Sequence, residues 1–111
     1  MARPVFLPDL TVNWPFERAQ NPYYESALAA STQWVESFRV LDPKAQNKFN
    51  RCKFALLASL AYPRVGPDHL RLACDLMNWF FVFDEISDVK SGPFVRELAA
   101  TLVGILRLII F

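Results

Sequence analysis

Residues 74–88, CDLMNWFFVFDEISD, restrict this chain more than any other stretch: a nearly unbroken apolar and aromatic run gives way to the carboxylates of Asp84, Glu85 and Asp88. A helix turns about 100° per residue, which puts Asp88 about 40° from Asp84, Phe80 about 40° to the other side, Phe81 about 60° away and Met77 about 20°. One face then carries an oily wall that ends in hard oxygen donors. Between residues 72 and 83 the pattern is apolar almost all round, the mark of a helix buried on most sides.

Carboxylates one turn apart can share a divalent, oxygen-seeking cation. Mg²⁺ takes only one or two of them and fills its octahedron with phosphate oxygens and water. Aromatic faces below would meet the apolar tail of such a phosphate and attract positive charge. The ligand these residues imply is an apolar diphosphate that becomes a cation. Asp75 stands about 180° from Asp84 and finds its counter-charge in Arg71 one turn earlier. Asp84 has no base at i±3 or i±4, so burying it beside Phe80, Phe81 and Phe83 is costly unless it binds a cation or sits at a cavity rim. The residues alone leave two plainer roles open: a solvated helix end for the acids, and ordinary core for Phe80 and Phe81.

The rest of the chain reads as helical. Asn21 before Pro22, Asp42 before Pro43, Gly66 before Pro67 and Gly92 before Pro93 each set a tolerated cap residue ahead of a proline at the first helical position. Four starts predict helices over about 22–40, 43–62, 67–88 and 93–111, the second open to a break near Asn50. Tyr24, Leu28, Ser31, Val35 and Phe38 form the first apolar stripe, and Phe54, Leu57, Ala58 and Ala61 the second. Ala55, Ala58 and Ser59 are small enough for another helix to approach closely. The short link 63–66 implies an antiparallel pair. Residues 1–20 hold three of the eight prolines and no period, which predicts an extended arm. His69 reads as surface.

A chain of 111 residues with 53% apolar content and net charge +1 is one small all-α domain, an antiparallel helical bundle, without a polyanion-binding signature. The apolar end is shorter than the roughly 20 residues a membrane span needs, and Arg107 interrupts it. The prolines at 4 and 8 break any secretory core. A cytoplasmic protein with no membrane span is expected, with Cys52 and Cys74 as buried free thiols.

CDLMNWFFVFDEISD resembles the aspartate-rich helix of class I terpene synthases, D-(D/E)-x-x-D with two aromatics just upstream. LPDL at 7–10, the Trp14, Arg18, Asn21 and Pro22 spacing, FNRCKFALLASLAYP at 49–63 and CDLMN at 74–78 are similar in order and spacing to sesquiterpene synthases of basidiomycete fungi, the protoilludene type among them. With about a tenth of residues acidic, the triplet alone would arise by chance in roughly one such chain in ten, so the context carries the likeness. The resemblance implies part of the isoprenoid synthase fold, with residues 21–111 as its N-terminal helices. It implies a Mg²⁺-dependent lyase that ionises and cyclises farnesyl diphosphate to a sesquiterpene. By the same resemblance Asp84 matches the principal metal ligand and Asp88 the motif's last acid. Phe80, Phe81 and the nearby Met77 match the pocket wall, and the arm around Trp14 and Arg18 a lid over the site.

Departures are equally plain. The family's second acidic motif, NDxxSxxxE, its diphosphate-sensing arginine and its C-terminal Arg-Tyr pair are missing, and residues 93–111 offer only Glu97. The final stretch LAATLVGILRLIIF is more apolar than the family's corresponding helix. A truncated or misread coding sequence, inactive on its own, is therefore expected. A chain-elongating prenyltransferase fragment fits less well, since VKSGP, directly after the motif, holds only Lys90 where that class carries nearby arginines. A non-catalytic helical interaction module is the third possibility.

Overall fold

The computed structural model describes residues 2–110. Met1, at the start of the predicted arm, and Phe111, the last residue of the final predicted helix, lie outside the described residues. Five helices follow one another: α1 (Tyr24–Ser37), α2 (Pro43–Cys52), α3 (Ala55–Ala61), α4 (Pro67–Val89) and α5 (Gly92–Ile110).

Two of the predicted proline starts form as read. The Asp42 side chain accepts from Ala45 N at 2.8 Å with Pro43 in the first turn of α2, and Gly66 enters α4 in an extended conformation ahead of Pro67. The other two differ. Pro22 lies outside α1, and Asn21 serves as a tether instead of a cap. At the last start, Ser91 precedes α5, its carbonyl accepting from Val95 N at 3.1 Å. The open question about residues 43–62 resolves into two helices. Lys53 takes a left-handed conformation, φ 50°, ending α2, and α3 begins two residues later.

The tether explains the join. Asn21 is fully buried; its Nδ2 donates to the carbonyls of Tyr62 and Val65, both at 2.9 Å, and its backbone N–H reaches Ser59 Oγ at 3.1 Å. Its Oδ1 accepts from Tyr23 N at 2.9 Å. One residue thus fixes the start of α1 to the end of α3 and to the link before α4.

The core lies where α1, α3 and α4 meet: Tyr24 and Ala27, Ala55 and Ala58, Leu70 and Cys74. Small residues let the axes approach, and Ser31 Oγ accepts from Asn78 Nδ2 at 2.7 Å inside the junction. Ser31 meeting Asn78, about two turns beyond Tyr24 and Leu70 of the same core cluster, makes α1 and α4 run alike. Cys74 facing Ala55 while Asn21 meets Ser59 makes α3 antiparallel to both.

Three sequence expectations change here. On α3 the buried positions are Ala55, Ala58 and Ser59, while Leu57 and Ala61 face out, because close helix approach selects the small face. Phe38, expected on the first stripe, is exposed beyond the end of α1, edge-on to Trp34 at 5.2 Å. And α4 is not buried on most sides. Leu70, Cys74 and Asn78 are buried, but Leu72, Leu76 and Phe80, a ridge spaced by four, are 67%, 47% and 50% exposed. Residues 2–20 carry no helix or strand, with a turn at 10–13, and every one of them is exposed. The radius of gyration, 17.7 Å, exceeds the roughly 13 Å of a compact domain of this size. No described helix is long and apolar enough to cross a membrane.

Candidate metal and diphosphate site

The far end of α4 and the face of α2 bound a cavity of about 540 Å³. From α4 come Phe81, Asp84 and Glu85; from α2 come Lys44, Lys48, Phe49 and Cys52; Phe54 closes the gap between them. Aromatic packing sets the distance. The rings of Phe54 and Phe81 stack at 3.7 Å and 11°, and Phe49 leans on Phe54 at 5.1 Å. Such pairs add about 1 kcal/mol each beyond their buried area. Asn50 Nδ2 donating to Glu36 Oε1 at 2.7 Å ties α2 to α1 as well.

Asp84 and Phe81 therefore border the same concavity. Asp84 is exposed at its rim, so the burial cost foreseen for it does not arise. Its environment is unfavourable for a different reason. Asp84, Glu85 and Asp88 occupy the last turns of α4, where the helix dipole presents its negative end, and the last turn holds no basic residue. A cation relieves that repulsion. Among the described residues no group of three acidic, histidine or cysteine side chains converges on one metal position. The donor set is still suited to Mg²⁺, which needs only one or two carboxylates when phosphate and water supply the rest.

The other candidates are dispersed. Asp88 is exposed one turn further on and is not among the residues lining the cavity. Met77 packs half-buried against the core cluster and does not line the cavity, because it lies about 10 Å back along α4 from Asp84, level with the junction with α1 and α3. Phe80 stands on the uncovered ridge that runs from Leu72 through Leu76 up to Asp84, with Trp79 5.1 Å away. Arg71 Nε and Asp75 Oδ1 form the expected pair at 2.9 Å, remote from this end. Cys74 is buried and free, its thiol pushed up to about 11 by burial, with Asp75 adding to the effect and Arg71 opposing it. Cys52, expected to be buried, is exposed, because its face of α2 borders the open cavity.

Sequence reasoning missed Lys44, Lys48 and Phe54 as cavity residues. The spacing of Lys44, Lys48 and Cys52 by four did mark one face of a helix. Which element that face meets was not legible.

A second, wholly apolar groove of about 340 Å³ lies between α1, α4 and α5, with Trp34, Trp79, Phe83 and Leu98 among its walls.

No protein-family model matches the chain. Among curated proteins it is 47% identical over 103 residues to Delta(6)-protoilludene synthase 8 of Postia placenta, covering 93% of this chain and 30% of that protein. Sesquiterpene synthase 9 of the same fungus is 48% identical over 103 residues, with the same coverage. Delta(6)-protoilludene synthase of Armillaria gallica is 50% identical over 107 residues, 96% of this chain and 31% of that protein. The chain thus spans about 30% of the length of the curated relatives it matches.

Proposed function

We propose that this chain forms the aspartate-rich portion of a cytoplasmic sesquiterpene synthase, a lyase that ionises and cyclises farnesyl diphosphate. The observation that carries the reading is the sharing of one concavity by Asp84 and Phe81 at the negative end of α4. The similarity to sesquiterpene synthases over nearly the whole chain supports it.

Asp84 would hold Mg²⁺, with Asp88 one turn away as a second acid. When bound, the metal supplies Lewis-acid stabilisation of the departing diphosphate. The chain's own residues do the remainder. Asp84 fixes the polar end of the ligand at the cavity rim. Phe81 presents its ring to the adjoining hydrocarbon. Phe80, at the head of the Leu72 and Leu76 ridge, would line the pocket wall once further helices cover that ridge, keeping water from the allylic cation. Met77 supports that wall from the core side. The arm around Trp14 and Arg18 is assigned to closure over the mouth.

These residues furnish one acidic wall, so the 111-residue chain alone is expected to be inactive. Mixed with Mg²⁺ and farnesyl diphosphate, it should yield no cyclic hydrocarbon above a no-enzyme control. Exchanged for the matching segment of the Postia placenta synthase 8, it should give a chimera that makes sesquiterpene hydrocarbon, measured by gas chromatography. Asp84→Asn in that chimera should cut turnover by about a hundredfold or more, the scale of losing roughly 3 kcal/mol of transition-state stabilisation. A folded chimera whose output ignores Asp84 would sink the proposal.

A further inference from the structure

We propose that Lys44 and Lys48 of α2 form an anion-binding wall opposite Asp84 and Glu85, and that this wall grips the diphosphate oxygens. The inference rests on the reading of Asp84 as a metal-side carboxylate and extends it to a helix that the aspartate-rich motif does not contain. Lys44 and Lys48 lie one turn apart on the face of α2 that borders the cavity. Among the described residues neither lysine is within ion-pair distance of Asp84 or Glu85, although all four line the same space. Two ammonium groups thus share the cavity with Asp84 and Glu85 without neutralising them, and the third carboxylate that lines it, Asp42, is engaged as the cap of α2, accepting from Ala45 N.

The cavity selects the ligand. A bare anion drawn to the lysines would be repelled by Asp84 and Glu85, and a bare cation drawn to the acids would be repelled by the lysines. An anion that brings its own divalent cation satisfies both walls, with phosphate oxygens on the ammonium side and the metal on the carboxylate side. A volume of about 540 Å³ falls within the range of about 300–1,000 Å³ found for small-molecule sites. Nor is the lysine wall a loose surface. The Asp42 cap, the contact of Asn50 with Glu36 and the stack of Phe49, Phe54 and Phe81 hold α2 at three points.

Inorganic pyrophosphate is the probe, titrated calorimetrically into the 111-residue chain with and without Mg²⁺. The double variant Lys44→Gln/Lys48→Gln should weaken Mg²⁺-dependent binding by about tenfold or more, the scale of lost charge-assisted hydrogen bonds. Lys44→Arg/Lys48→Arg should retain binding, and circular dichroism should show equal helix content throughout. Binding that requires Mg²⁺ and Asp84 but is indifferent to both lysines overturns the wall while leaving the proposed function standing. Binding that requires the lysines but neither Mg²⁺ nor Asp84 supports the wall and overturns the metal reading. Failure of the unaltered chain to bind pyrophosphate under either condition overturns the wall.

Discussion

Replacing Asn21 by alanine tests whether one buried amide holds the three-helix junction together. The substitution removes the bonds from Nδ2 to the Tyr62 and Val65 carbonyls and the bond from Tyr23 N to Oδ1. At about 1 kcal/mol each, with water able to reach part of what is left, the loss comes to about 3 kcal/mol. Domains of this kind commonly have only about 5–15 kcal/mol in hand, so the change should be plain in urea denaturation followed by circular dichroism at 222 nm, a wavelength where helix absorbs. Ser59→Ala is the internal comparison. It removes one acceptor of the Asn21 N–H, but the Ser59 carbonyl still lies 3.2 Å from that nitrogen, so the cost should stay near or below about 1 kcal/mol. If Asn21→Ala is no worse than Ser59→Ala, the tether does not organise the fold and the account of the junction is wrong.

Other outcomes follow from the same geometry. Ala58→Leu forces extra volume into the α3 and α4 contact, where Ala58 is fully buried, and should lower stability by about 1–3 kcal/mol in the same titration. Phe81→Ala removes the ring stacked on Phe54 and should cost about 2 kcal/mol, with tryptic cleavage at Lys48 or Lys53 accelerating as α2 loosens. Alkylation at pH 8 should modify Cys52 quickly and spare Cys74. The Cys74 thiol is raised in the folded chain from 9.0 to about 11, so its contribution to stability is in place below pH 9 and is lost as pH climbs through about 11. Thermal melts that gain stability across that window would contradict the burial of Cys74. Asp88→Asn removes a charge from the negative end of α4 and should raise the melting temperature slightly, whereas an acid already paired would make it fall.

The sequence by itself determined what short-range chemistry can determine. The caps at Asp42 and Gly66 with their prolines set the starts of α2 and α4. The i,i+4 pairing of Arg71 with Asp75 and the shared face of Phe81 and Asp84 follow from helical pitch alone. So does the coincidence of aromatics with a cluster of acids, because a helix repeats every few residues whatever surrounds it. Tertiary structure decided everything that depends on which faces meet. It put the small residues Ala55, Ala58 and Ser59 inside, since close packing of axes outweighs the larger apolar side chains that stayed out. It made Asn21 a long-range tether to Tyr62 and Val65, a role its place before Pro22 does not reveal. It left the ridge of Leu72, Leu76 and Phe80 uncovered, and through the stack of Phe49, Phe54 and Phe81 it set Lys44 and Lys48 on the cavity that Asp84 also lines. The meeting of residues so far apart in the chain at one cavity is a property of helix packing, and no periodicity within either helix encodes it.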